Sequence, residues 1–149
     1  MHKQLRKSEI KDISPKLEKY GCIVGKKDDL KLDGNILLVN GKPDFFLYED
    51  MIIPRLNSRQ EYLMNLKKVT VDMGAVKPLS SGSDLMKPGI RDIDLGIEKG
   101  DPIAIVDEKN KMPFVIGIAL LSSQDMEKAD SGKVVKNIHR PSDEIWNYN

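Results

Sequence analysis

The longest apolar runs in this chain, Ile36–Val39 and Phe114–Leu121, are of strand length, and each is bounded by a turn signal. That segmentation is the strongest constraint on the fold. Such runs fall far short of the roughly 20 apolar residues that cross a bilayer. Short strands separated by turns predict a small barrel.

The pattern changes along the chain. Ser8 and the pair Ser14-Pro15 are helix-start signals, because a serine hydroxyl can cap free N–H groups and proline loses nothing at a first helical position. Ile10, Ile13, Leu17 and Tyr20 form a one-sided stripe that ends at Gly21, so the sequence predicts a short or interrupted helix over about 8–20. From Leu30 the period shortens to that of strands: Leu30–Asp33, Ile36–Val39, and Phe45-Phe46-Leu47 after Asn40-Gly41. Asn-Gly tolerates the positive φ angles of a tight hairpin turn, so Asn40-Gly41 predicts one. Leu56–Lys67 has helical spacing. The second half is richer in glycine, with strands expected at Lys68–Asp72, Ile103–Val106, Phe114–Leu120 and Val134–His139. Glu108–Lys111 reads as a turn and Ser123–Lys128 as a helical turn capped by Ser122.

Charge and cysteine content narrow the chemistry. The formal charge of +1 conceals a split: residues 1–71 carry 14 basic and 10 acidic side chains, residues 72–149 carry 10 and 13. The basic half either faces phosphate or is an ordinary solvated surface, and any affinity for a phosphate-bearing ligand must then come from local geometry more than from bulk charge. Cys22 is the single cysteine, which excludes an internal disulfide and a cysteine-built zinc site, and a buried structural role is expected. Lys3, Arg6, Lys7 and Lys11 interrupt any signal-peptide core, so a cytoplasmic protein without a membrane segment is expected.

The most informative stretch runs from Val69-Thr-Val-Asp-Met-Gly-Ala-Val76 through Ser81-Gly-Ser-Asp-Leu-Met-Lys-Pro-Gly-Ile90 to Lys99-Gly-Asp101 and Phe114-Val-Ile-Gly-Ile-Ala119. Gly74 and Ala75 are small enough for a sharp turn and close approach by a ligand. Pro88-Gly89 is the composition of a tight turn that exposes consecutive backbone N–H groups. These glycines either shape a ligand face or only close a compact barrel.

In combination these segments resemble the PUA domain, the module named after pseudouridine synthases and archaeosine transglycosylases. Val39-Asn-Gly-Lys-Pro-Asp-Phe-Phe46, Ser122–Lys128, Lys136-Asn-Ile-His139 and Glu144-Ile-Trp146 extend the resemblance to the malignant T-cell-amplified-sequence family of translation proteins and its archaeal relatives. The chain departs from the eukaryotic members in a shorter N-terminal region. The resemblance implies an α+β protein: an N-terminal mixed α/β domain over 1–66, then a PUA pseudo-barrel of short strands and helices over 67–149. It also implies RNA binding through Gly74, Ala75, Lys77, Gly82, Ser83, Leu85, Lys87, Pro88, Gly89 and Ile90. Lys77 and Lys87 would be the phosphate contacts, while Leu85 and Ile90 also suit a core.

No phosphate loop ending in Lys-Ser/Thr and no Gly-x-Ser-x-Gly occurs, and Asp28-Asp29 and Asp92/Asp94 read as solvated charge. His139 stands without a recognisable catalytic constellation and is read as packing, and Trp146 as a tail anchor on the barrel more readily than a base-stacking platform. The expectation is a non-enzyme with no catalytic residue, cofactor or metal. Its partner would be a structured RNA, tRNA acceptor end or rRNA, with the small ribosomal subunit or a translation factor as a further partner. The rival expectations are a specificity subunit of an RNA-modification system and a protein-binding adaptor.

Overall fold

The computed structural model describes residues 2–149, whose strands fall into two sheets belonging to two units of the chain. The first sheet is an antiparallel meander of β1 (His2–Gln4), β2 (Leu30–Asp33), β3 (Ile36–Val39), β4 (Lys42–Tyr48) and β5 (Met51–Pro54). Asn40 and Gly41 both adopt positive φ, 52° and 79°, and close the expected hairpin with Val39 facing Lys42. Every pairing in this sheet is antiparallel, so strands and helices combine here in the α+β manner.

One helix, α1 (Lys7–Glu18), lies against β5. Neither Ser8 nor Ser14 starts it. Glu9 instead reaches back to accept from the Arg6 backbone N–H at 3.1 Å, and the helix continues through Pro15, beside which the Ser14 hydroxyl donates to the Ile10 carbonyl at 2.7 Å. The missing proline N–H is tolerated because Pro15 is on the exposed face. Leu17 and Tyr20 deliver the apolar stripe to a core with Leu30, Leu37, Phe45 and Ile53. The expected helix over 56–67 shrinks to the single turn α2 (Gln60–Leu63), whose Tyr62 ring stacks on Phe45 with centroids 5.1 Å apart. Cys22 is buried, and burial raises its thiol pKa, as befits a small hydrophobe.

The second sheet contains β6 (Lys67–Val71), β7 (Leu85–Met86), β8 (Ile90–Ile93), β9 (Pro102–Asp107), β10 (Pro113–Ala119) and β11 (Lys133–His139), in the order β7-β11-β10-β9-β6-β8. Its two edges, β7 and β8, are consecutive in sequence and separated only by the 3-10 turn Lys87–Gly89. A sheet whose opposite edges are joined by three residues cannot lie flat, so it curls into a pseudo-barrel with that turn as its seam. Val69, Val71, Leu79, Leu85, Ile103, Ile105, Val115 and Val135 fill the interior. Gly117 sits at a bulge between β10 and β11, where a β-carbon would meet the Val135 side chain and come within 2.8 Å of the Lys136 carbonyl oxygen.

Two small helices flank this sheet: α3 (Val76–Ser80) and α4 (Ser123–Lys128), the latter capped as expected by Ser122, whose hydroxyl accepts from the Asp125 N–H at 3.2 Å. The C-terminal tail differs from expectation. Glu144–Asn149 groups with the N-terminal unit and not with the barrel of Leu66–Asp143. Arg55, only 4% exposed, donates to the carbonyls of Pro43, Ile145 and Trp146, and Tyr148 donates to the Asp33 carboxylate at 2.7 Å. Trp146 is therefore held through its backbone on the first unit, because a buried guanidinium must find carbonyl acceptors and the tail supplies them.

Candidate nucleic-acid interface

The sequence-predicted residues fall on one continuous stretch of the second unit, from the exit of β6 to the start of β8. Asp72 caps the 3-10 turn Met73–Ala75 by accepting from the Ala75 N–H at 3.0 Å, which explains the acid in the Asp-x-Gly-Ala motif. A β-carbon on Gly74 would lie 3.3 Å from that carboxylate, so a small residue keeps the cap intact. The Glu108 carboxylate accepts from the Met73 N–H at 3.1 Å, and the Gly89 carbonyl accepts from the Asp72 N–H at 3.0 Å, tying the turn to β9 and to the seam.

The loop after α3 is fixed from β11. The Asn137 side-chain amide donates to the Leu79 and Ser83 carbonyls at 2.8 and 3.0 Å, and the Asp84 carboxylate accepts from the Asn137 N–H at 2.9 Å. Gly82 has φ +108°, open to glycine and rarely to other residues. A β-carbon there would come within 3.0 Å of the Arg140 guanidinium carbon, so the absent side chain leaves the place where Arg140 lies.

Arg140 is itself held from below. The fully buried His139 ring places Nδ1 2.9 Å from an Asp143 carboxylate oxygen, and the same oxygen accepts from the Arg140 N–H at 2.9 Å. His139 thus packs, as expected, but it does have a carboxylate partner four residues on, which fixes the turn that carries Arg140. Among the described residues neither the Arg140 guanidinium nor the exposed Lys77 ammonium has a carboxylate partner. Arg91 makes only long contacts, 4.0 Å to Asp72 and 3.8 Å to Glu108. Met73 and Met86 are 43% and 45% exposed in the same stretch. Sequence reasoning missed Arg140, Arg91 and both methionines. Gly82 was named from sequence, but neither its positive φ nor what occupies the space beside it was visible there.

Four predicted contacts change role. Leu85 is 2% exposed and belongs to the barrel core, because β7 turns it inward, so it is not a surface contact. Ile90 and Ala75 are partly buried against that core. The Lys87 ammonium donates to the Met126 and Glu127 carbonyls at 2.6 and 3.0 Å, at the C-terminal end of α4 where positive charge is favoured, which makes it a brace for the seam more than a phosphate contact. Gly89 is outside the positive-φ set; its smallness matters because a β-carbon would sit 3.3 Å from that of Ala75. Gly74, Lys77, Ser83 and Pro88 stay exposed, and Gly82 is half-buried beneath Arg140.

Residues 67–141 match the PUA domain family. Over nearly the whole chain the sequence is 38% identical to an uncharacterized protein of Methanocaldococcus jannaschii, covering 97% of this chain and 94% of that one. It is 31% identical to malignant T-cell-amplified sequence 1 of Rattus norvegicus, covering 96% and 88%. Translation machinery-associated protein 20 of Saccharomyces cerevisiae is 30% identical over 74% of this chain and 64% of its own length. Among solved structures, a hypothetical protein of Pyrococcus horikoshii superposes with a TM-score of 0.80 at 36% identity, covering 98% of both chains. A chain of an H/ACA RNP bound to a substrate RNA gives 0.53 at 28% identity, covering 67% of this chain and 31% of that one. The protein belongs to the PUA-domain proteins, within the family of malignant T-cell-amplified sequence 1 and its archaeal relatives.

Proposed function

We propose that this protein binds RNA without acting on it chemically, and that the face built by Met73–Pro88 with Arg140 is where RNA is held. The observation that carries the reading is the Arg140 guanidinium lying on Gly82, braced by the buried His139–Asp143 pair and left without an acidic partner among the described residues. A planar, pre-positioned guanidinium recognises phosphate in two-pronged fashion or stacks on a base. Lys77 adds a second phosphate contact, and exposed backbone at Gly74 and Ser83 admits close approach. The likeness to a chain of an RNA-bound H/ACA particle and to a translation machinery-associated protein supports RNA as the ligand and translation as the setting.

The finer reading is recognition of a tRNA acceptor end or of rRNA during translation initiation or ribosome recycling. The small ribosomal subunit or a translation factor would be the partner. A second reading, a specificity module for an RNA-modifying system, is favoured by the H/ACA likeness. Co-purification with ribosomal subunits supports the first and co-purification with a modifying enzyme the second.

The test is an RNA titration of Lys77→Gln/Arg140→Gln against the parent protein at fixed salt. Loss of about tenfold or more in affinity, with an unchanged melting temperature, is expected for two charge-assisted phosphate contacts. Unchanged affinity would move the site elsewhere.

A further inference from the structure

The N-terminal unit carries a separate concentration of positive charge. In the N-terminal unit a cleft of about 510 Å3 opens between α1 and the segment Val24–Asp28. Lys7 and Lys11, one helical turn apart on α1, face it from one side and Lys26 from the other, with the half-buried Ile10 and Val24 also lining it. None of the three ammonium groups has a hydrogen-bond or ion-pair partner among the described residues. Of the other charges of α1, Glu9 is taken by Lys3 and Arg6, and Lys16 donates to the Asp50 carbonyl, while Asp12 and Glu18 are not among the residues that line the cleft. Asp28 also lines the cleft, but its carboxylate already accepts from the Gly25 N–H at 2.7 Å and from the Asn40 side-chain amide at 3.0 Å. The cleft thus keeps a surplus of positive charge.

Lys7 is also out of place by local rules. It occupies the first helical position of α1, where the unsatisfied N–H groups repel a cation. Departures from local preference are expected at functional positions, where a ligand supplies the missing charge.

We propose that this cleft is a second RNA contact, in which Lys7, Lys11 and Lys26 hold backbone phosphates of a single-stranded segment and Ile10 and Val24 receive the adjoining sugar or base. The proposal rests on the RNA-binding reading of the barrel face, and it assigns to the N-terminal unit a direct part in that binding. A concave site with apolar lining fits a nucleotide better than it fits a flat membrane surface, to which a basic helix would offer an uninterrupted apolar face.

The experiment compares the full-length protein with Lys7→Gln/Lys11→Gln/Lys26→Gln and with the charge-retaining Lys7→Arg/Lys11→Arg/Lys26→Arg, each titrated with oligouridylate over a range of salt. The glutamine variant should lose at least about tenfold in affinity at low salt, and its logarithmic salt slope should shrink by roughly 2, at about 0.7 for each single-strand phosphate contact. The arginine variant should keep the parental slope, and the glutamine variant should melt no lower than the parent, because removing Lys7 relieves the helix end. If the parent binds and the glutamine variant matches it in affinity and slope, the cleft is not an RNA site and the barrel-face reading stands. If the parent binds no RNA, both readings fall. If the glutamine variant loses binding to polyglutamate while keeping it to oligouridylate, the cleft serves an acidic protein partner and the proposal is overturned.

Discussion

Lys87 shows how one side chain separates the proposed RNA face from its support. Its ammonium ends on two carbonyls at the C-terminus of α4, across the seam formed by its own turn. Replacing it with methionine keeps the length of the stem and leaves those carbonyls to water. We expect Lys87→Met to lower stability by about 1.5–3 kcal/mol, the net worth of hydrogen bonds from a charged group. RNA affinity should stay within twofold of the parent, measured after chemical denaturation has fixed the stability change. A variant that melts normally but binds RNA weakly would return Lys87 to the contact surface. From sequence the residue was one of two lysines flanking a glycine-rich stretch, and nothing in the spacing distinguishes one that meets helix carbonyls from one, Lys77, that meets solvent.

At the scale of elements, the start of α1 depends on a single carboxylate. Glu9 accepts from the Arg6 N–H and side chain and from Lys3, and the Arg6 backbone bond is the largest of the effects that hold its pKa down at about 2 against an ordinary 4.5. A depressed carboxylate contributes stability that is fully present above its unfolded-state value and is lost as pH falls through the folded one. The Arg6 and Lys7 amides should therefore gain mobility between about pH 4.5 and pH 2, followed by NMR, and Glu9→Gln should show little pH response there. If Glu9 titrates at its ordinary value in the folded protein, the cap is not formed in solution.

The β10–β11 pair depends similarly on Gly117. A β-carbon there meets the Val135 side chain and the Lys136 backbone, and backbone cannot step aside as a flexible side chain can. Gly117→Ala should cost about 1–3 kcal/mol, the range for overpacking a filled interior, and lower the thermal midpoint accordingly. A midpoint within experimental error of the parent would show that the bulge relaxes. The Gly-Ile-Ala motif was legible as a strand; that its glycine is demanded by a bulge against β11 was not, because the constraint comes from residues about 20 positions away.

Across the whole molecule, what could be read from sequence was what local chemistry decides. Asn40-Gly41 closes its hairpin because both residues tolerate positive φ, and the short runs become strands because alternation and length leave little choice. The tail was misplaced because its partner is the buried Arg55, 90 residues away and unremarkable in sequence. The site was half legible for the same reason. The glycines and Lys77 announce an open, turn-rich face, while Arg140 joins it only through β11, the amide of Asn137 and the buried His139–Asp143 pair.

On the proposed reading the barrel face holds a splayed RNA strand and not the groove of a duplex, since shallow exposed turns suit unstacked nucleotides and a deep A-form groove excludes such a surface. The most direct test is a titration of the full-length protein, at matched salt, with a stem bearing a single-stranded 3′ tail and with a blunt duplex of the same length. Tighter binding of the tailed stem, by about tenfold, is predicted, with the advantage abolished in Lys77→Gln/Arg140→Gln. Equal affinity for the two RNAs, or a tail preference untouched by that substitution, would contradict it.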